Sequence, residues 1–375
     1  MSDAVIIEKD RLQDLLDTLT SRGYQIIGPV LERDAIVYGP VTQASDLPEG
    51  YIDEQEGGHY RLHKTADKSL FRYVVGPHSW KRFLFPPQQR LWRAKKNGVG
   101  FSIEAEPTEP TKYAFLGVRP CELAAIGIQD KVFDNGEYAD SGYNARRKNA
   151  FLIAVNCTRA GDTCFCASMD TGPSALEGFD LCLTELLDES THRFLVQSGS
   201  PEGDEILAKV SHRKAKLDET KAATRLTNEA ATSMRRRMHP NAAAILERNP
   251  EHPRWLDVAN RCLNCANCTL VCPTCFCSTV EDVTSLGGNE AERVRRWNSC
   301  FTLDFSYIHG GPIRREGSAR YRHWITHKLS YWQEQFGTSG CTGCGRCITW
   351  CPVGIDITEE VAAIRESESA PVQGD

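Results

Sequence analysis

The chain has 375 residues, of which 41% are hydrophobic and 25% charged, with a formal net charge of −6 at pH 7. This length allows two or three domains with separate cores, the balance is that of a globular protein, and mild acidity gives no footing for nucleic acid as a general partner. No run of about 18 apolar residues occurs, so no membrane span is expected, and the start, MSDAVIIEKDRLQDLLDTL, lacks the basic and apolar regions of a secretory signal. A cytoplasmic protein without a membrane partner is expected. Its sixteen cysteines then fit metal clusters in a reducing compartment better than disulfides.

Val5 and Ile6 open a short strand, and Leu12, Leu15, Leu16 and Leu19 recur at helical spacing. YQIIGPV and AIVYGPV read as strands closed by Gly-Pro turns. A strand around Tyr73–Gly76 is followed by FLFPPQQRLWRAKK, which predicts a Pro-Pro turn and a basic helix. KYAFLGVR (112–119) and NAFLIAVNC (149–157) are continuous apolar runs typical of strands buried on both faces. CELAAIGIQDKVF between them has helical spacing. Residues 1–200 therefore predict a mixed α/β domain.

Residues 201–258 are charged and helical, a connector in which Arg235–Arg237 reads as a solvated helix face. Residues 259–365 carry the densest cysteines, and the tail, 366–375, is expected to be disordered.

Cys262, Cys265, Cys268 and Cys272 precede Pro273; Cys341, Cys344, Cys347 and Cys351 precede Pro352. Both runs read C-x2-C-x2-C-x3-C-P, the bacterial ferredoxin pattern that holds 4Fe–4S clusters through thiolates. In two-cluster ferredoxins the fourth cysteine ligates the other cluster. The expected sets are Cys262, Cys265, Cys268 with Cys351, and Cys341, Cys344, Cys347 with Cys272. Zinc sites usually pair two C-x2-C arms, or arms with histidines, rather than four cysteines in one short run. The long insertion between the runs, with EDVTSLGGNEAERVRRW and RYRHWITHKLSYWQEQFG, reads as mostly helical. The fold class expected is multidomain α+β: the mixed α/β domain followed by an α-helical ferredoxin-like domain with two 4Fe–4S clusters.

A second constellation lies upstream: Cys121, Cys157, Cys164 and Cys166. Cys121 and Cys157 each follow one of the apolar runs, and ligand sites gather at the carboxyl ends of parallel strands. If those strands are parallel neighbours, the four thiols converge and suit a third 4Fe–4S cluster. Zinc and unliganded buried thiols are the alternatives. Cys275, Cys277 and Cys300 are too few for a cubane set and read as packing beside the clusters, and Cys182 reads as core. Arg346 and Trp350, inside the second run, are candidates for tuning a cluster.

The chain has no G-x-G-x-x-G and no G-x4-G-K-[ST], and His323 and His327, four apart, lack the Glu of H-E-x-x-H. No catalytic residue is assigned. An independent flavoenzyme and a chain whose clusters only brace the fold or sense oxygen are the competing readings.

GVRPCELAAIGIQDKVF, NCTRAGDTCFCASMDTGP, the first cysteine run through CPTCFC, the HGG at 309–311, RYRHWITHKLSYW and GCTGCGRCITWCPVGID resemble one family. It is the iron–sulfur β subunit of cytoplasmic bidirectional NiFe hydrogenases, or sulfhydrogenases, and the A subunit of anaerobic sulfite reductase is similar. The resemblance spans roughly residues 60–365. It implies an electron-relay subunit of an oxidoreductase complex, non-catalytic and with no flavin of its own. The implied partners are a flavin-containing NAD(P)H-reductase subunit and the small and large NiFe hydrogenase subunits, or alternatively a sirohaem sulfite-reductase subunit.

Overall fold

Four strands at the centre of the largest sheet run parallel, and their order explains the two apolar runs. A computed structural model describes residues 4–105 and 111–368 of the chain. The sheet has eight strands in the spatial order Arg213–Lys214, Val5–Glu8, His192–Ser198, Leu181–Leu187, Phe151–Val155, Tyr113–Val118, Gln25–Glu32 and Ala35–Pro40. Tyr113–Val118 pairs in parallel with Gln25–Glu32 on one side and Phe151–Val155 on the other, and Leu181–Leu187 continues the parallel set.

Strand side chains alternate between faces, and here both faces are dry. Ala114, Leu116, Phe151, Ile153 and Val155 pack with Leu12, Leu15, Leu16 and Leu19 of the helix Leu12–Ser21. Phe115, Val118, Leu152 and Ala154 pack on the other face with Leu123, Ile126 and Phe133 of the helix Pro120–Phe133. Each buried Leu, Ile, Val or Phe among them contributes roughly 1.5–3 kcal/mol. The alternation slips between Leu116 and Val118, where Gly117 adopts φ +89° and the register shifts, so Val118 faces the same side as Phe115.

A second sheet joins distant parts of the chain in the order Ser278–Thr284, Glu290–Trp297, Gln88–Asn97, Gly100–Ala105, antiparallel throughout. Two expectations fail here. QQRLWRAKK is a strand, not a basic helix, and EDVTSLGGNEAERVRRW is a hairpin turning near Gly288 (φ +66°), not part of a helical insertion. The charges that mimicked a helix surface pair across strands instead: Glu292 with Arg90 and Arg93, and Asp282 with Arg293.

Residues 201–258 hold helices at Pro201–Leu207, Leu217–Thr232, Ala242–Arg248 and Arg254–Arg261, and the strand Arg213–Lys214 ties the segment to the large sheet. Arg235–Arg237 lies beyond the helix Leu217–Thr232, and Arg236 is not a solvated side chain. It bridges Asp356 and Glu56. The helices Arg254–Arg261, Gly317–Thr326 and Ile357–Glu368 share one apolar core containing Trp255, Val258, Tyr321, Trp324, Val361 and Ile364. Residues 366–368 of the expected tail end that last helix, and 369–375 lie outside the described residues. Among the described residues, no helix is long and apolar enough to cross a membrane.

Candidate metal centres

Both ferredoxin runs fold into the same loop. Cys262 ends the helix Arg254–Arg261, and the chain then enters left-handed backbone at Asn264 (φ 53°) and Ala266 (φ 68°) before the short helix Asn267–Leu270. In the second run the equivalent positions are Gly343 (φ 65°) and Gly345 (φ 76°), before the helix Arg346–Thr349. The left-handed residues turn amide groups towards sulfur. The Asn264 N–H donates to Cys262 Sγ at 3.4 Å, and the Gly343 N–H donates to Cys341 Sγ at 3.4 Å. Left-handed backbone costs a non-glycine residue roughly 1–2 kcal/mol, so the first loop holds this shape against its own preference. Such outliers gather at functional sites.

Cys262, Cys265 and Cys268 line a cavity of about 30 Å³ together with Cys347 and Cys351 from the second run, beside Tyr321 and Trp324. The Ile355 N–H donates to Cys351 Sγ at 3.3 Å. In the second set Cys347 is half-buried, and its thiol is pushed well up by desolvation and by the neighbouring sulfurs of Cys341, Cys344 and Cys272. Burial likewise pushes Cys341 up to about 12. Cys268 of the first set lies close enough to Cys347 and Cys272 to be felt by both, so the two sets adjoin.

The upstream cysteines also converge, for the topological reason anticipated. Cys121 sits in the first turn of the helix that follows Tyr113–Val118, and Cys157 lies just beyond Phe151–Val155. Those strands are parallel neighbours, which brings both to one sheet edge. Cys164 and Cys166 close over them, and burial first, then the sulfurs of Cys164 and Cys157, raise the Cys166 thiol. Two glycines keep room beside these sulfurs: a Cβ at Gly172 would lie 3.1 Å from Cys166 Sγ, and one at Gly161 3.3 Å from Cys164 Sγ. Cys344 of the second run packs against the cluster formed by Cys121, Cys164, Cys166 and Met234.

Thiols held high by burial in the absence of charge become ligands by losing their protons to a metal. Among the described residues, no three Cys, His, Asp or Glu side chains converge closely enough to share one metal ion, whereas a zinc site holds its sulfurs ~2.3 Å from a single centre. The thiols of the first set, spread around a cavity with amides aimed at Cys262 and Cys351, fit a multi-iron cluster better.

Several neighbours were not legible as site residues. Cys275 lies beside Cys272, and Cys300 beside Cys277, whose thiol is lowered to about 7 chiefly by Cys300, against burial. Two lysines are buried beside them: Lys81 is 4% and Lys328 5% exposed. Lys328 Nζ lies 3.3 Å from Cys272 Sγ. Arg346 forms a buried ion pair with Glu122 at 2.6 Å and donates to the Gly76 carbonyl at 3.2 Å. Trp350 packs against Tyr60, and Cys182 is core as expected. His323 and His327 stack on each other with ring centres 5.7 Å apart.

Residues 261–355 match a family described as a 4Fe-4S dicluster domain. Over 341 residues the chain is 33% identical to sulfhydrogenase 2 subunit beta of Pyrococcus furiosus, an alignment covering 88% of this chain and 92% of that protein. No solved structure matches the chain.

Proposed function

The chain belongs to the family of sulfhydrogenase beta subunits and is an iron–sulfur electron-transfer subunit, and from that premise we propose that it relays electrons in the cytoplasm between a flavin-containing NAD(P)H-oxidoreductase subunit and the small and large subunits of a NiFe hydrogenase. Cys262, Cys265, Cys268 and Cys351 would hold one 4Fe–4S cluster, Cys341, Cys344, Cys347 and Cys272 a second, and Cys121, Cys157, Cys164 and Cys166 a third. Clusters bound there supply one-electron transfer at potentials set by charge, burial and hydrogen bonds to sulfur.

The observation that carries the reading is the unbroken succession of the three thiol sets. Cys268 lies within electrostatic reach of Cys272 and Cys347 at one junction, and Cys344 packs against the cluster that contains Cys121, Cys164 and Cys166 at the next. The protein's own contribution is to fix these junctions and keep water out. Tyr321 and Trp324 wall the first set, and the sheet edge and the Cys164–Cys166 loop enclose the third. Cys265 is the exposed member of the sixteen cysteines, which makes the first set the one that reaches a partner at the surface.

Iron and acid-labile sulfide analysis of anaerobically prepared protein tests the assignment. About twelve irons per chain, four for each cubane, is the expected result, and about eight removes the third set. Hydrogen uptake by the native complex supports the hydrogenase partner. Sulfite reduction without hydrogen uptake assigns the chain to a sirohaem partner instead.

A further inference from the structure

Lys328 projects from a single π-helical turn, His327–Tyr331, inserted between the helices Gly317–Thr326 and Trp332–Phe336. Such turns recur where a helix must redirect one side chain, often at functional sites. An ammonium has three donors and no acceptor, and all three are engaged: Cys272 Sγ at 3.3 Å, Thr274 Oγ1 at 2.9 Å and the Gly340 carbonyl at 3.1 Å. Two of these partners are neutral oxygens, so the sulfur is the one that can carry an opposing charge. A buried cation without a countercharge is strongly disfavoured. Thr274 also touches Cys272 Sγ at 3.1 Å and donates to the Gly340 carbonyl at 2.7 Å, which fixes the lysine's position.

Lys81 is the natural comparison. It is equally buried, but its ammonium faces the carbonyls of Leu270 and Cys275 at 3.3 and 3.2 Å and lies 3.9 Å from the centre of the Trp297 ring.

We infer that Lys328 is a positioning residue for electron transfer: its direct bond to Cys272 Sγ raises the reduction potential of the cluster held by Cys341, Cys344, Cys347 and Cys272. The inference rests on the ligand assignment proposed above. Its physics is simple. Reduction adds negative charge to the cluster, and a fixed N–H donor and positive charge at a ligating sulfur stabilise the reduced state more than the oxidised one.

The test is a redox titration followed by electron paramagnetic resonance on Lys328→Met, Lys328→Arg and Lys81→Met forms of the full chain, with iron content measured alongside. In Lys328→Met, iron is retained and one cluster becomes at least tenfold harder to reduce, about 59 mV for one electron. Lys328→Arg keeps most of the original midpoint, and Lys81→Met moves it less. An unmoved midpoint in Lys328→Met, or an equal shift in Lys81→Met, overturns the inference. Should Lys328→Met lose iron, Thr274→Val decides the matter, since removing the hydroxyl that holds Nζ must shift the same cluster in the same direction. No shift there is equally fatal. If the unaltered chain holds no cluster at the second set, the functional reading itself fails and takes this inference with it.

Discussion

The Phe165 N–H donates to the Gly343 carbonyl at 2.8 Å, and this one bond ties the upstream cysteine loop to the second ferredoxin run. Around it the two backbones are in close contact. A Cβ on Gly343 would lie 2.6 Å from both the amide nitrogen and the Cα of Cys166, and one on Gly345 2.4 Å from the Thr163 carbonyl oxygen. The Thr163 and Thr349 hydroxyls meet at 2.7 Å, and both reach the side-chain oxygen of the buried Gln55. The junction between the second and third thiol sets is thus built from backbone, with glycine where no side chain fits.

Gly343→Ala is expected to break this junction. The methyl group meets backbone rather than a movable side chain, and φ +65° adds a conformational cost. The left-handed penalty alone is roughly 1–2 kcal/mol, and the displaced Cys166 segment adds to it. Thermal unfolding should show the loss, and iron analysis should show depletion centred on the second and third sets. A variant as stable and as iron-rich as the parent would mean that the loops are not held together as described.

Crossed ligation makes a distinct prediction. Cys351→Ser removes the thiol that lines the cavity of Cys262, Cys265 and Cys268, so it should disturb the first cluster although it lies in the second run. Cys272→Ser should do the reverse. Electron paramagnetic resonance of the two variants reads the pairing directly: each loses the signal that the other keeps. If both cysteines act within their own runs, the signals are exchanged.

The cysteine runs were readable because cluster ligation is local: spacing alone places three sulfurs on one loop, and the fourth follows from the ferredoxin pattern. The convergence of Cys121 and Cys157 was readable because two apolar runs with a helix between them make a parallel pair, and parallel strands share an edge. The hairpin at residues 278–297 was not. Its outward faces carry Glu, Asp and Arg that pair across strands, so no period-two apolar signal survives. Lys328 was equally hidden, because HKLSYW scans as an ordinary amphipathic stretch and only the π-helical turn aims the lysine at sulfur. Arg346 stood out as a residue within the second run, but its partner Glu122 is far away in sequence and became visible only in the fold.

That ion pair predicts a large stability effect. Glu122 accepts from Arg346, from the hydroxyl of Tyr38, from the Trp80 indole at 3.1 Å and from the Arg119 amide at 3.2 Å, and it is 1% exposed. Arg346→Leu leaves a buried carboxylate without its cation, a change that costs about 3–5 kcal/mol. Adding Glu122→Leu should restore part of the loss, because the second change removes the stranded charge. Urea unfolding of the two single variants and the double variant measures the coupling. Strictly additive losses would show that the two side chains do not act as a pair.

His323 gives the molecule a pH dependence of known sign. Burial first, and then the nearby Arg314 and His327, lower its pKa from the ordinary 6.5 to about 4. In the unfolded chain the imidazole regains its ordinary value, so between pH 6.5 and about 4 the unfolded state binds more protons than the folded one. Stability therefore falls as the pH drops through that window and is insensitive to this group above it. The ring is only about half buried, so solvent screening moderates the size of the effect. Carboxylates with lowered values, such as Glu219 at about 2 beside Arg213, lose their stabilising contribution from about pH 4.5 downward and so overlap the lower part of the window. Comparison with a variant removes that background. His323→Gln should match the parent near pH 7.5 and lose less stability than the parent by pH 5, as read from midpoints of thermal unfolding. Parallel curves for the two proteins across pH 7.5 to 5 would show that the imidazole keeps an ordinary affinity for protons in the folded chain.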